Sequence, residues 1–216
     1  MPPRRAPTRR LVRGRSRPRV RLENDQRRAQ LLELAKRAFS EHAYDEVSID
    51  ALAREAQISK GLLYHYFPTK RDLYIAGLTE IANELVAAIV AVPDGVAPLE
   101  VVRLGLDAFL AHVQGHARAF VSLMRGGIGS DPEVAVVVES VRKRLFERFL
   151  AETASAPALA GDPRFELAVR GWIGFVEAAS IDWCADPRLS RDELRELLTQ
   201  VLFEVMRVAA PAALQP

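Results

Sequence analysis

Apolar residues recur at intervals of three and four through most of this chain, the spacing of helices that each bury one face. Leu31, Leu32, Ala35, Ala38 and Phe39 form the first such stripe. They predict a helix from Asn24 or Asp25, either of which can cap it, to about His42. Ala43 and Tyr44 interrupt the pattern. Ser48 then caps a short helix with Ile49, Leu52, Ala53 and Ala56 inward, Gln57 and Ile58 make a turn, and Ser59 caps a third helix ending near Tyr66. Three short helices around one small core are the expectation for residues 23–70.

The third helix carries residues that a purely structural helix does not need. Ile58, Leu63 and Phe67 can face the core, which turns Lys60, Gly61, Tyr64, His65 and Tyr66 outward. Glycine inside a helix costs about 1 kcal/mol relative to alanine, and is easiest to explain if another backbone comes close. Tyrosines beside a lysine offer flat apolar area and hydroxyl donors suited to thymine methyls and phosphates, on a helix that fits a major groove. The alternative is an ordinary amphipathic helix with a wet aromatic face.

Thr69 and Asp72 form a T-x-x-D box that starts a fourth helix, with Pro68 just ahead of it. Leu73, Gly77, Leu78, Ile81, Leu85 and Ile89 give that helix an apolar stripe to about Val92. Five more helices are predicted over 98–114, 116–125, 132–155, 164–185 and 191–210. Pro132 follows Asp131 at a first helical position, and Ser190 with Glu193 makes another capping box. With no strand-like alternation and no internal repeat, the fold class is all-α: a three-helix head followed by a larger helical body over residues 71–216.

Charge divides unevenly between these parts. Up to Tyr74 there are 17 Lys and Arg against 9 Asp and Glu, a net +8, leaving 13 against 19, a net −6, for the rest. A basic module approaches a polyanion and an acidic remainder does not. Residues 1–22 hold nine arginines among four prolines. They read as a disordered arm, either attracted to DNA phosphates and the minor groove or simply solvated. The arginines have no apolar run behind them, so no signal peptide is expected. Nor does any stretch approach the ~18 uninterrupted apolar residues of a membrane span. One cysteine, Cys184, excludes an internal disulfide framework. The expectation is a cytoplasmic protein with no membrane partner.

The run SKGLLYHYFPTKRDL at 59–73, with the segment from Ser48 and the helix before it from about Arg27, resembles the helix-turn-helix of the TetR family of bacterial transcriptional regulators. The resemblance covers about a quarter of the chain. It implies that Ser59, Lys60, Gly61, Leu62 and Tyr64 face bases or nearby phosphates, while Ser48, His65, Tyr66 and Lys70 grip the backbone. Gln57 departs from the glycine usual in that turn, so the turn is expected to be strained or differently shaped.

The resemblance further implies an effector pocket in the body. The large apolar side chains available there are Phe109, Phe120, Met124, Trp172, Phe175 and Trp183, with His112, Glu177 and Asp182 as isolated polar groups. Such a lining suits a hydrophobic small molecule. Two helices are apolar almost all round: Leu167 to Cys184, carrying Gly171, Gly174 and Ala178, and the last helix, carrying Leu194, Leu198, Val201, Leu202 and Val205. They form either internal core or, as the resemblance implies, a four-helix homodimer interface.

Chemistry beyond binding is not expected. His112 and His116 stand at i and i+4, a spacing that chelates a metal only if a third ligand converges. No G-x-S-x-G is present, and Gly126-Gly127-Ile128-Gly129 follows a helix and not a strand, so it cradles no phosphate. No cofactor, metal or catalytic residue is assigned. The function expected is a dimeric, ligand-responsive repressor on a palindromic double-stranded operator. The alternative is a non-specific architectural DNA binder relying on the arginine arm.

Overall fold

The computed structural model describes residues 17–91, 95–151, 159 and 161–209, with side chains from residue 24 onward. These form nine α-helices: α1 Arg17–Glu41, α2 Ile49–Glu55, α3 Lys60–Tyr66, α4 Lys70–Val90, α5 Pro98–Gly115, α6 Ala117–Arg125, α7 Pro132–Ala151, α8 Pro163–Ala185 and α9 Arg191–Ala209. Two 3-10 turns, at Tyr44–Glu46 and Gly127–Ser130, complete the order, and no strand occurs among the described residues.

The serine and threonine caps lie where the sequence places them. Ser48 Oγ accepts from Ala51 N at 3.3 Å and Ser59 Oγ from Leu62 N at 3.1 Å. Thr69 Oγ1 accepts from Asp72 N while Asp72 Oδ2 accepts from Thr69 N, each at 3.0 Å, which closes the capping box and satisfies two orphan amides.

The start of α1 differs from expectation. The helix begins at Arg17, so neither Asn24 nor Asp25 caps it, and residues 17–22, expected within the arm, belong to it. The rest of the arm lies outside the described residues. Asn24 Oδ1 instead accepts from the Tyr66 hydroxyl at 3.3 Å, tying α1 to the end of α3.

The core of the head extends to the helices that follow it. Leu31, Leu34, Ala35 and Phe39 of α1, Leu52 and Ala53 of α2, and Leu63 and Phe67 bury together with Leu73, Tyr74 and Leu78 of α4 and with Val134 of α7. Helix α4 has the length and composition of a membrane span. Here it packs against α1, α5 and α7. In the body, α5, α8 and α9 enclose Leu106, Leu110, Val176, Trp183, Leu194 and Leu198, and Arg195 pairs with Asp107 across α9 and α5 at 2.8 Å.

Candidate nucleic-acid interface and effector cavities

The surface of α3 divides as its spacing dictates. Leu63 and Phe67 are buried, Lys60, Gly61, Leu62 and His65 are exposed, and Tyr64 and Tyr66 are half-buried, packed on the head core by one side. A β-carbon on Gly61 would meet only Ser59 Oγ, at 3.9 Å, so nothing inside the protein requires glycine there. Lys60 Nζ pairs with Asp50 Oδ2 at 2.9 Å, both exposed, and Lys70 Nζ lies 4.5 Å from the centroid of the Tyr44 ring. The Ser48 and Ser59 hydroxyls accept from backbone amides and keep their own protons for donation. The Tyr66 hydroxyl is already committed to Asn24.

The turn before α3 explains Gln57. Its φ is 55°, the left-handed region, and it is the one non-glycine residue with positive φ among the described residues. Gln57 N donates to Arg54 O and Ile58 N to Ala53 O, at 3.1 and 3.0 Å. These two bonds are those of a Schellman ending for α2, the geometry that glycine usually provides. The turn therefore keeps its shape, and the departure is absorbed as local backbone strain.

Ionic contacts join the head to the body. Arg71 Nε and Nη2 donate to the two carboxylate oxygens of Asp131 at 2.5 and 2.6 Å, and Nη1 to Glu133 Oε1 at 3.0 Å. The Arg71 guanidinium holds the Asp131 carboxyl down at about 2. Asp131 also accepts from Glu133 N and Val134 N, so the carboxylate that grips α4 caps α7 as well. Arg118 of α6 pairs with Glu46, and His116 Nδ1 lies 3.1 Å from Ser40 O, where a ring N–H can donate to the carbonyl.

Two apolar cavities lie beneath these contacts. The body cavity, of about 140 Å³, is bounded by Ile89 of α4, Val102 and Phe109 of α5, Leu145 of α7 and Trp172 and Ile173 of α8. A second, of about 100 Å³, lies in the seam between head and body, lined by Phe39 and Ser40 of α1, Tyr74 of α4, His112 of α5, and Phe120 and Met124 of α6. Phe109, Val141 and Glu177 border both, which makes them adjoining lobes. Glu177 is bound by Arg142 through two hydrogen bonds, at 2.9 and 2.7 Å. The pair is half-buried and mutually neutralised.

Of the residues expected in the pocket, Phe109, His112, Phe120, Met124, Trp172 and Glu177 line one lobe or both. Three do not. Phe175 is 41% exposed on the outer face of α8. Trp183 is buried, and its Nε1 donates to Leu189 O at 2.7 Å. Asp182 is exposed and paired with Arg125. The sequence also missed α7, whose Val137, Val138, Val141 and Leu145 line the lobes in turn. That stripe is visible as three- and four-residue spacing, but nothing local distinguishes a cavity-lining stripe from a core one.

The outer faces of α8 and α9 also need correction. Leu194, Leu198 and Leu202 are buried within the protomer, so they are core and not interface. Gly171, Gly174 and Ala178 are exposed, Val201 and Val205 half-buried, and Leu167, Leu197 and Val208 are apolar surface on the same two helices. No group of three or more His, Cys, Asp or Glu able to hold a metal occurs among the described residues.

A helix-turn-helix head with an exposed reading helix, locked to a helical body that contains apolar cavities, is the architecture of a one-component DNA-binding regulator. The description "Bacterial regulatory proteins, tetR family" matches residues 31–76, and "Tetracyclin repressor-like, C-terminal domain" matches 98–205. The chain belongs to the TetR family. A tetR-family transcriptional regulator from Streptomyces coelicolor has a similar solved structure, with a TM-score of 0.77 and 32% identity over 87% of this chain and 83% of that one. The transcriptional activator FasR of Mycolicibacterium smegmatis is 28% identical over 120 residues, 55% of each chain. The transcriptional repressor KstR of Rhodococcus jostii is 29% identical over 131 residues, 59% of this chain and 61% of that one. The chain thus spans little more than half the length of these two relatives. Because both its segments match regulator descriptions, the architectural alternative is not favoured.

Proposed function

We propose that this protein is a cytoplasmic transcriptional regulator, acting as a repressor, that reads a palindromic operator as a homodimer and is released by a hydrophobic small molecule. The observation that carries this reading is the continuity of α4 and α7. Each packs into the head at one end and borders the cavities further along: α4 through Tyr74, Leu78 and Ile89, α7 through Val134, Val137 and Val141. Whatever fills the lobes displaces the helices on which the head is seated.

In the mechanism, Ser59, Lys60, Gly61, Leu62 and Tyr64 meet base edges and adjacent phosphates, while Ser48, His65 and Lys70 fix the register on the backbone. A dimer through α8 and α9 sets the two α3 helices about 34 Å apart, one turn of the duplex. An effector can loosen the complex only if it binds the released arrangement better than the DNA-bound one. The chain is assigned no catalytic step, in keeping with its regulator relatives.

The test is a gel shift on the DNA upstream of the protein's own gene with Tyr64→Ala and Lys70→Ala. Weakened binding by both supports the assigned reading face, and binding equal to the parent's overturns it. Removal of residues 1–22 should leave sequence selection intact; loss of nearly all binding and salt sensitivity would favour the architectural alternative.

A further inference from the structure

The two lobes differ in chemistry, and the difference bears on what the seam accepts. Phe39, Phe109, Phe120 and Tyr74 give the seam lobe aromatic walls. Its polar groups are few, and most are engaged. Glu177 is bound at both oxygens by Arg142, and His116 Nδ1 faces Ser40 O. The Ser40 hydroxyl donates to Arg37 O. Two groups remain. Among the described residues, neither ring nitrogen of His112 nor the hydroxyl of Tyr74 has a hydrogen bond, although Tyr74 is 5% exposed and His112 is half-buried. These atoms are not among the fully enclosed side-chain atoms that lack a partner, so they are accessible and free to bond a ligand in the lobe.

Both unpartnered groups are held neutral. Burial pushes the His112 imidazole down to about 4 and the Tyr74 phenol up to about 12. No lysine or arginine lines the lobe, and its one carboxylate, Glu177, is already paired with Arg142. An ionic ligand would enter an apolar space with no counter-charge, at a cost that its contacts do not offset.

Resting on the effector-responsive reading above, we infer that the seam lobe binds a small, neutral, mostly apolar molecule with a ring system and one hydroxyl or carbonyl group, hydrogen-bonded to His112. A volume of about 100 Å³ limits the occupant to one ring at most, since an engineered apolar cavity of about 150 Å³ holds a single benzene. The walls of this lobe include α1 and the start of α4, so its occupant bears directly on the seating of the head.

The experiment uses phenol, benzoate and benzylamine as single-ring probes of three charge states, titrated into the full-length protein without DNA and followed by ligand-observed NMR. Phenol should bind with a millimolar to sub-millimolar Kd, about what so few heavy atoms can yield, and both ions at least tenfold more weakly. Ala119→Phe, which fills the seam lobe, should abolish phenol binding. Val102→Phe, which fills the body lobe, should leave it unchanged, and His112→Phe should weaken it about tenfold. Circular dichroism of each variant checks the fold. Equal binding of benzoate, loss with Val102→Phe but not with Ala119→Phe, or no phenol binding at all overturns the assignment. Because no DNA is present, any of these failures leaves operator recognition and its release by a different effector standing.

Discussion

Arg71, in the first turn of the helix that follows the reading head, is bound through two nitrogens to Asp131, the residue that caps α7. Sixty residues apart in sequence, they fix the starts of two long helices against each other. The planar guanidinium matches the carboxylate at both oxygens, so the contact sets an orientation as well as a distance. One edge of the head is thereby referenced to the helix that lines both cavities. Arg71→Ala and Asp131→Ala should each weaken operator binding about threefold to tenfold. Combined, they should weaken it by less than the product of the two, since both remove the shared contact, while Arg71→Ala also frees Glu133 and Asp131→Ala also uncaps α7. Gel shifts on the two single variants and the double variant measure this; full additivity would mean that the residues act separately.

Lys60 offers a second test, because its ammonium is paired with Asp50 and, in the mechanism proposed above, exchanges that partner for a phosphate. Lys60→Ala should lower the slope of log K against log salt by about 0.9 for each phosphate the lysine neutralises, and weaken binding to all sequences alike. Asp50→Asn frees the lysine in advance and should strengthen binding at low salt. An unchanged slope in Lys60→Ala would place this side chain away from the backbone.

Gln57 shows where a single residue stays silent in sequence. A glutamine in the turn signals only that glycine is absent. Whether the chain distorts or accepts strain depends on the amides of Gln57 and Ile58, which close on Arg54 and Ala53 as they would around glycine. Gln57→Gly should therefore raise stability by about 1 kcal/mol, the left-handed cost of a side chain partly offset by a more flexible unfolded state. Thermal unfolding reads this directly, and operator affinity should stay the same.

Burial holds the His112 imidazole at about 4, below its ordinary 6.5, with the nearby His116 adding to the effect and Glu84 opposing it. As pH falls, the unfolded chain takes up this proton through 6.5 while the folded protein refuses it until about 4. Stability is therefore complete above the upper value and declines across that window, by about 1–2 kcal/mol once partial exposure is discounted. His112→Phe should remove that part of the decline. Denaturant melts of both proteins at pH 7.5, 5.5 and 4.5 compare the two, and parallel curves would assign the decline to other groups.

The helices, and the division of α3 into a buried and an exposed side, were legible because each writes its own signal. Leu63 and Phe67 stand four apart, and Ser48, Ser59 and Thr69 precede the amides they cap. The cavities and the outer face of the body were not. Trp172 and Phe175 are three residues apart on a helix apolar on all sides, yet Trp172 borders the body cavity and Phe175 faces outward. Likewise Leu194, Leu198 and Leu202 form one stripe of α9 and Leu197, Val201 and Val205 another. The positions of α5 and α8 decide which is core. Composition cannot separate a face that meets its own chain from one that meets a second copy. The seam lobe gathers residues from six helices, and no local pattern could announce it.

The exposed glycines of α8 give the sharpest test of the dimer. A β-carbon on Gly171 or Gly174 meets nothing within 4 Å in the protomer, so their small size serves no internal packing. In a helix interior each costs about 1 kcal/mol relative to alanine. That cost has a purpose if a second helix approaches across Gly171, Gly174 and Ala178, flanked by Leu167 and Phe175. Gly174→Arg should accordingly leave the protomer folded, with unchanged helicity and an equal or higher melting temperature for the isolated chain. It should shift sedimentation from dimer to monomer. Operator affinity should then fall by several orders of magnitude, because a monomer contacts one half-site and forfeits the second. Sedimentation velocity across a concentration series separates the outcomes: a dimer that survives Gly174→Arg would place the interface on another face of the body.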